Sequence, residues 1–280
     1  MNISNVIDGI EKAAADHIKA EQGDYYGEDG LLYCGKCNTK KQTRITILGQ
    51  ERTPMCLCKC AAEKREQEEA ERKRAEFENH VKELRRTAFP ESDMQGSTFA
   101  NDDGTNEKII TVAKNYVENF NTMKADGKGL LLFGETGTGK TYAAACIANA
   151  LLDKGYAVLM TNFVRIANTV QGLFEGKQQY YDSLNRFPLL ILDDLGAERK
   201  SEYMQEIVYN VIDARCRAGL PIIVTTNLTA DELKKVDEVT FKRIYSRLFE
   251  MCIPLEVEGK DRRREHLKES HKKYKDLLGY

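Results

Sequence analysis

A glycine-rich segment near the middle of the chain has the residue types that bind phosphate groups. The pattern G-x-x-x-x-G-K-[ST] is matched at every fixed position by Gly134-Glu135-Thr136-Gly137-Thr138-Gly139-Lys140-Thr141. Glycines let successive backbone N–H groups curl around phosphates, and a helix N-terminus adds its positive dipole end. We therefore expect Lys140 to contact the β- and γ-phosphates of ATP, and the hydroxyl of Thr141 to bind Mg²⁺.

The sequence on either side of this segment fits a phosphate-binding loop. The apolar run LLLF precedes the segment and predicts a strand. The run TYAAACIANALL begins at Thr141, the last residue of the segment, and predicts a helix. A chance match to the pattern would lack this strand–loop–helix context. The sequence therefore predicts an ATP site here.

Two consecutive carboxylates follow a second apolar run. ATP hydrolysis requires a carboxylate that orients the metal ion, and the end of a neighbouring strand is where it is expected. Pro188 and four apolar residues lead directly into Asp193 and Asp194. We expect Asp193 to bind Mg²⁺ through water and Asp194 to polarise the attacking water, although paired Asp residues also occur as turns or helix caps. Hydrolases of this class often have Glu at the second position, and Asp is one methylene shorter. Glu198 therefore remains a second candidate for the base.

Polar residues further along the chain are candidates for contacting the γ-phosphate. Asn227 follows the apolar run PIIVTT, at the edge of a parallel sheet where nucleotides bind. Arg243 and Arg247 are four residues apart and so share one face of a predicted helix. Arginine stabilises charge on a transferring phosphoryl group, in cis or from a neighbouring subunit. The alternative is an ordinary surface helix with two solvated arginines.

Five cysteines in the N-terminal part of the chain have the spacing of a metal site. They are Cys34, Cys37, Cys56, Cys58 and Cys60. Two thiolates from the CxxC turn and two from the second group would complete a structural, tetrahedral Zn²⁺ site, so four of the five are expected to bind. A CxC pair and a C-x₃-C pair remain alternatives for the second group. A redox CxxC or incidental thiols are the other interpretations.

Composition and charge limit the class of protein. Apolar residues make up 41% of the 280 residues and charged residues 31%, and 42 basic side chains nearly balance 44 acidic ones. This balance gives no global attraction to nucleic acid, so any such contact needs a local patch. No run approaches the length of a membrane span, and the N-terminal residues lack a secretory pattern. We therefore expect a cytoplasmic protein without a membrane partner.

The chain separates into three regions by composition. Residues 1–60 show helical spacing of apolar residues over 1–22, followed by the cysteines. Residues 61–88 are mostly Glu, Lys, Arg and Ala, which predicts a solvated spacer helix rather than a dedicated binding surface. In residues 89–280, short apolar runs alternate with amphipathic stretches. That alternation predicts an α/β fold with a parallel sheet covered by helices on both faces.

The apolar and amphipathic runs also predict individual elements of this third region. Strands are expected at 129–133, 157–160, 189–192, 221–225 and 251–255, and helices at 140–153, 163–174, 201–217 and 240–249.

The motifs taken together resemble a known family of replication ATPases. GETGTGKT, LLILDDLGAE, TTNL and RIYSRL, in this order and spacing, resemble the DnaC/DnaI-type replicative helicase loaders of the AAA+ superfamily. The resemblance covers roughly residues 95–265 and includes GSTFANDD, which looks like the family's lead-in to the nucleotide pocket. Loaders of this type have only a minimal C-terminal lid, and phage and prophage versions often carry a cysteine-rich N-terminal segment like the one in this chain.

The resemblance implies roles for individual polar residues. Asn227 falls at the sensor 1 position, and Arg247, with Arg243 beside it, falls at the arginine finger that completes the site of an adjacent subunit. Arg263 falls at sensor 2, although neighbouring arginines leave its register open.

The resemblance also implies contacts to single-stranded DNA. Phe174 lies in the first helix of the stretch 161–187, where related ATPases place an element that faces the strand. Ser201 and Tyr203 follow the acidic pair, where the family also contacts DNA, and a tyrosine ring there suits base stacking.

The expected function is ATP-dependent loading of a hexameric, DnaB-type replicative helicase onto single-stranded DNA. Hydrolysis would occur between self-associated ATPase domains, and the N-terminal segment would bind the helicase. An IstB-type transposition helper ATPase shares most of these motifs and is one alternative. An adaptor that binds ATP as a switch without hydrolysing it is another.

Overall fold

The computed structural model describes residues 20–47, 49–90, 94–196, 202–234, 239–259 and 261, together with 271, 274–275 and 277–278. The chain divides into two compact units, 1–78 and 79–280. The helix expected over residues 1–22 lies outside the described residues except for 20–22, which are not helical. The boundary between the units falls inside the charged helix rather than at either of its ends.

The first unit contains two short antiparallel hairpins. Strand β1 (Tyr25–Tyr26) pairs with β2 (Leu32–Tyr33), and β3 (Ile45–Ile47) pairs with β4 (Gln50–Arg52). Gly49 has a φ of 78° in the turn between β3 and β4, a conformation that glycine adopts without strain. Strands of two and three residues bury little, so this unit depends on other interactions for its order.

Helix α1 (Lys59–Ala88) is the charged segment predicted from sequence. Opposite charges one turn apart form ion pairs along it, such as Lys73 with Glu69 and Arg74 with Glu78, both at 2.8 Å. Ala88 is its one buried residue. The helix therefore exposes nearly all of its surface.

The second unit is built on a five-stranded parallel sheet, which confirms the predicted fold class. Its strands are β5 (Gly129–Phe133), β6 (Val158–Asn162), β7 (Leu189–Leu195), β8 (Ile222–Thr226) and β9 (Cys252–Glu256). The spatial order is β6-β7-β8-β5-β9, and all four pairings are parallel. Because β5 pairs with β8 and β9 rather than with β6, the next strand along the chain is not its neighbour. Such a change in strand order leaves a crevice at the carboxyl ends of the strands, and folds of this kind bind ligands there.

Helices cover both faces of the sheet and bury two apolar clusters. On one face lie α2 (Glu107–Glu118), α3 (Phe120–Ala125) and α4 (Lys140–Asp153). The other face is covered by α5 (Phe163–Gln171), α6 (Lys177–Ser183), α7 (Glu202–Arg217) and α9 (Val239–Met251), with the short α8 (Ala230–Lys234) before α9. The central strands β5, β7 and β8 are buried along nearly their whole length, as continuous apolar runs predict, whereas the edge strand β9 is largely exposed.

Several element boundaries differ from the sequence prediction by one or more residues, and two of these differences affect the candidate site. Helix α5 ends at Gln171, so Phe174 lies in the following loop rather than in a helix. Gly172 at the helix end and Gly176, with a φ of 81°, favour a loop over a continued helix. Strand β7 extends three residues beyond its predicted end at 192, through both consecutive aspartates to Leu195.

A fully buried arginine ties the starts of two central strands together. The guanidinium of Arg215, in α7, donates to the carbonyl oxygens of Phe187 at 2.8 Å and Pro221 at 2.7 Å. Burial lowers the pKa of this side chain to about 10, so it stays charged at neutral pH. Its hydrogen bonds replace the hydration that the charge loses.

Candidate functional site

The phosphate-binding loop connects β5 to α4 and uses a left-handed backbone at all of its glycines. Gly134, Gly137 and Gly139 have φ values of 129°, 82° and 99°. A Cβ atom at Gly134 would also lie only 2.9 Å from the carbonyl oxygen of Val257, so a side chain there would clash with the backbone. The loop conformation therefore requires glycine, and it curls the backbone as phosphate binding needs.

Lys140 begins helix α4 and is buried beneath the loop. Its ammonium group donates to the carbonyl oxygens of Gly134 at 2.8 Å and Glu135 at 2.6 Å. The hydroxyl of Thr138 also donates to Glu135, at 3.0 Å. These bonds hold a positive charge within the curve of the loop, where an anionic phosphate would be attracted.

The two aspartates of β7 lie at the carboxyl edge of the sheet beside this loop. The hydroxyl of Thr141 donates to Oδ1 of Asp193 at 2.9 Å, so the two predicted Mg²⁺ ligands are adjacent. Both supply oxygen atoms, which are the ligands that Mg²⁺ prefers. The donor set therefore fits a magnesium ion held by Thr141 and Asp193.

Asp194 has an unusual backbone conformation and a fixed side chain. Its φ is 60°, which is rare for a residue with a Cβ atom. The side-chain amide of Asn227, just beyond β8, donates to Oδ1 of Asp194 at 2.8 Å. The predicted base and the predicted sensor thus form one hydrogen-bonded pair at the edge of the cleft.

The cleft itself holds about 480 Å³, a suitable size for a nucleotide. Besides the loop and the acidic edge, it is lined by Asn101 and Asp103 from the GSTFANDD stretch. The hydroxyl of Tyr142, in α4, donates to the carbonyl oxygen of Thr98 at 2.9 Å and fastens this stretch beside the loop. The sequence indicates the stretch but not Asn101 or Asp103 individually, because neither residue belongs to a motif of its own.

The two predicted arginines occupy one exposed surface of α9. The guanidinium of Arg247 makes ion pairs with Asp213 at 3.4 Å and Glu250 at 3.5 Å, and it lies 3.7 Å from the sulfur of Cys216. Arg243 is exposed one turn earlier on the same helix. Arg247 is therefore held by its own chain in this structure, while Arg243 faces solvent.

Among the predicted DNA contacts, Phe174 and Tyr203 lie within the described residues. Phe174 is fully exposed in the loop after α5, and Tyr203 is partly exposed in the first turn of α7. The ammonium of Lys177, at the start of α6, lies 5.9 Å from the centre of the Tyr203 ring. Lys177 was not selected from sequence, because its proximity to Tyr203 depends on the packing of α6 against α7. Ser201, Glu198 and Arg263 lie outside the described residues.

Four of the five clustered cysteines converge in the first unit. The sulfur atoms of Cys34, Cys37, Cys58 and Cys60 all lie within 4.8 Å of one another. Cys56 is not part of this group, because its sulfur faces the carbonyl oxygen of Lys40 at 3.6 Å. The structure therefore favours the CxC pair over the C-x₃-C pair as the second half of the cluster.

The geometry of these sulfurs fits a tetrahedral zinc ion. Zinc–sulfur bonds of about 2.3 Å place the four sulfurs about 3.8 Å apart. The Cys60 sulfur lies 3.6 Å from that of Cys34 and 3.5 Å from that of Cys58, so little movement would be needed. A hydrogen bond with the Thr39 hydroxyl lowers the pKa of the Cys37 thiol to about 5, while the Cys37 sulfur raises that of Cys60 to about 12. A cation binding here would displace the remaining thiol protons.

None of the helices in the described part of the chain combines the length and the apolar character that spanning a membrane requires.

The sheet order, the glycine loop and the acidic strand end together define a P-loop, ATP-binding fold of the AAA+ type. The family model for IstB-like ATP binding proteins matches residues 60–270, three quarters of the chain. The chain therefore belongs to this family of ATP-binding proteins.

Two curated relatives are replicative helicase loaders, as the motif resemblance predicted. DnaI of Bacillus subtilis (strain 168) is 28% identical over 197 residues, which cover 64% of this chain and 62% of that protein. DnaC of Escherichia coli (strain K12) is 29% identical over 131 residues, covering 45% of this chain and 52% of that protein. The matches thus span between about half and three fifths of the relatives' own length.

Comparison with a solved structure supports the fold of the second unit. The crystal structure of the DnaC helicase loader superimposes with a TM-score of 0.51 at 22% identity, covering 60% of this chain and all of that one. At this level of identity the likeness concerns the fold alone.

Proposed function

We propose that this chain is an ATPase that loads a hexameric, DnaB-type replicative helicase onto single-stranded DNA. The observation that carries the proposal is the cleft lined by Lys140, Thr141, Asp194 and Asn227, with Asp193 hydrogen-bonded to Thr141. The similarity to the loaders DnaI and DnaC supports the cellular role. We assign helicase binding to the segment of residues 1–60, a spacer role to 61–88 and ATP chemistry to 89–280.

The site residues have separate tasks in hydrolysis. The Lys140 ammonium neutralises charge on the β- and γ-phosphates, and a Mg²⁺ ion held by Thr141 and Asp193 would supply further neutralisation of the transferring phosphoryl group. Asp194 accepts a proton from the attacking water. The side-chain amide of Asn227 donates a hydrogen bond to the Asp194 carboxylate and so fixes its position. The same amide lines the cleft, where it can contact the γ-phosphate.

Asp194→Asn tests the assignment of the base. We expect the variant to bind ATP normally and to hydrolyse it at least about 100-fold more slowly, because a general base contributes roughly 10²–10⁴ in rate. Asp126→Asn is the matched control, since Asp126 is exposed at the end of α3, outside the residues that line the cleft. Phosphate release at the wild-type rate by Asp194→Asn would move the role to Glu198. Binding without release by the wild-type chain would favour the non-hydrolysing adaptor.

Arg247, with Arg243, is proposed to complete the site of a neighbouring subunit. An arginine finger contributes roughly 10³–10⁵ in rate, so Arg247→Ala should bind ATP but hydrolyse it poorly. Because Arg247 pairs with Asp213 in its own chain, Arg243→Ala belongs in the same experiment. Arg217→Ala is the control, since Arg217 pairs with the same carboxylate at 3.2 Å but lies on α7.

A mixing experiment separates action in trans from action within one chain. Arg247→Ala supplies an intact pocket and Lys140→Ala supplies an intact arginine, so their mixture should regain part of the wild-type rate. No recovery, together with a rate strictly proportional to protein concentration, would show that each chain hydrolyses ATP alone.

Single-stranded DNA is proposed to contact the surface formed by Phe174, Tyr203 and Lys177. Stacking on an aromatic ring contributes about 1–3 kcal/mol per base, so Phe174→Ala should weaken binding of an oligonucleotide by roughly 5- to 150-fold. The control is Phe77→Ala, which removes an exposed aromatic ring from the charged helix α1. Equal losses in both variants, or no loss in either, would contradict this assignment.

The name of the matching family, IstB-like ATP binding protein, supports a second and weaker candidate, the IstB-type transposition helper. Capture of the full chain with its partners from the native host, followed by mass spectrometry, distinguishes the two. Recovery of a hexameric helicase supports the loader, whereas recovery of a transposase supports the helper ATPase.

A further inference from the structure

An irregularity in the sheet lies at the two aspartates of the candidate site. Strand β7 pairs with β8 in register up to Leu192 and Val224, and pairing resumes at Leu195 and Thr226. Three steps along β7 therefore match two steps along β8, so Asp193 and Asp194 together lie opposite the single residue Thr225. This is the arrangement of a β-bulge, which re-aims side chains and interrupts the ladder.

The side chain of Thr225 provides hydrogen bonds at this interruption. Its hydroxyl donates to Oδ1 of Asp193 at 2.6 Å, and it accepts from the backbone N–H of Asp194 at 2.9 Å. Oδ1 of Asp193 is also the atom that accepts from Thr141. One buried hydroxyl thus links the predicted Mg²⁺ ligand to the backbone of the predicted base.

The directions of these bonds leave the hydroxyl little freedom. Because the Asp194 amide donates to the oxygen, the hydroxyl proton is directed to the Asp193 carboxylate. Thr225 is fully buried on a central strand, and its branched Cβ restricts the side-chain torsion. The position of Oδ1 is therefore fixed by a rigid element of the sheet.

We propose that Thr225 is a positioning residue that orients Asp193 for Mg²⁺ and holds the Asp194 backbone in its left-handed conformation. This inference rests on the proposed ATPase function. Groups that hydrogen-bond to a metal ligand typically change metal affinity or activity by 10–100-fold when removed.

The neighbouring Thr226 provides a matched comparison. It is equally buried, but its hydroxyl donates to the carbonyl oxygen of Leu195 at 2.7 Å and accepts from the N–H of Leu228 at 3.3 Å. Both of these partners are backbone atoms that follow the bulge. Removing either hydroxyl should destabilise the fold, whereas only that of Thr225 should affect Mg²⁺.

The test measures how Mg²⁺ tightens the binding of a fluorescent ATP analogue to the full chain. Thr225→Val removes the hydroxyl at nearly constant shape, Thr225→Ser keeps it, and Thr226→Val is the control. We expect the half-saturating Mg²⁺ concentration to rise roughly tenfold or more in Thr225→Val and to stay within about twofold of the wild type in the other two. Binding measured with EDTA should be the same in all four proteins.

The outcomes separate this inference from the proposed function. If the wild type shows no effect of Mg²⁺ on nucleotide binding, the ATPase proposal itself fails. If the wild type responds normally and Thr225→Val matches it, or if Thr226→Val shifts as much, the role of Thr225 is contradicted. Should Thr225→Val not fold, Thr225→Ala against Thr225→Ser gives the same comparison, because both lose the methyl group and only Ala loses the hydroxyl.

Discussion

The first unit (residues 1–78), called the cysteine module below, and the second unit (79–280), called the nucleotide-binding unit, differ in the interactions that stabilise them. In the described part of residues 20–78, the buried apolar side chains are Leu31 and Leu32. The side chains of Cys34 and Cys58, which belong to the cysteine cluster, are also buried. The nucleotide-binding unit instead buries two large apolar clusters against its sheet. We therefore expect the module to depend on a bound metal ion for its stability and the larger unit to depend on its own core.

The polar contacts of the module agree with this interpretation. Lys41 and Asp24 form an ion pair at 2.6 Å, with both side chains only 4% exposed. The Lys41 hydrogen bond lowers the pKa of Asp24 to about 2, so the pair remains charged at neutral pH. A buried ion pair adds little net stability compared with apolar packing, because both charges lose their hydration. We therefore expect a metal ion held by the thiol cluster to be the main stabilising feature of this unit.

Removal of zinc should produce the largest effect and should be confined to the module. Structural zinc contributes about 10–16 kcal/mol to the folding of such modules, so a chelator should unfold residues 31–60 while the nucleotide-binding unit keeps its melting transition. Hydrogen exchange resolved along the chain measures both regions at once. Elemental analysis of protein purified without chelator should give one zinc per chain.

Cysteine variants sharpen the same prediction. Cys37→Ser should lose most of the bound zinc, whereas Cys56→Ser should keep it, because Cys56 lies outside the converging sulfurs. Equal loss in both variants would contradict the selection of four cysteines, and less than about half an equivalent of metal in the wild type would contradict the site.

A cavity in the sheet core should produce the opposite pattern. Leu132 is fully buried in β5, so Leu132→Ala should lower the free energy of unfolding of the nucleotide-binding unit by about 2–5 kcal/mol. Urea denaturation measures this change. The zinc content should stay at one per chain, and its loss in this variant would show that the module is not independent.

A change on the surface of α1 should have almost no effect. Lys73 pairs with Glu69, but both side chains are largely exposed, so Lys73→Ala should change stability by less than about 0.5 kcal/mol. A change in the free energy of unfolding above about 1 kcal/mol, measured by the same denaturation, would show that this helix is more than a solvated spacer.

The sequence predicted those features whose cause is local. The three glycines of the loop, the apolar strands and the aspartates that follow one of them all carry signals within a few residues of each other. A parallel sheet follows because apolar runs buried on both faces alternate with amphipathic helices. The predicted site residues Thr141, Asp193 and Asn227 meet because parallel strands all end at the same edge.

Other features depend on distant packing and carried no local signal. The role of Thr225 arises from a register shift against another strand, and the burial of Arg215 opposes the usual preference of arginine for solvent. Phe174 continues an apolar pattern into a loop because the helix stops at Gln171. The choice between Cys56 and Cys58 could not be made from spacing, since both spacings occur in zinc sites.

ATP binding by the loop that contains Lys140 is the property on which the proposed function depends most directly. Equilibrium binding of a fluorescent ATP analogue to the full chain should be at least about 100-fold weaker in Lys140→Ala, because two phosphates lose a charge-assisted partner. Lys154→Ala is the control, since Lys154 is the C-cap residue at the other end of the same helix and its ammonium donates to the carbonyl oxygen of Val117, in α2, at 3.0 Å. It should bind like the wild type, with both variants folded by circular dichroism. Wild-type affinity in Lys140→Ala, or no binding by the wild-type chain, would contradict the account.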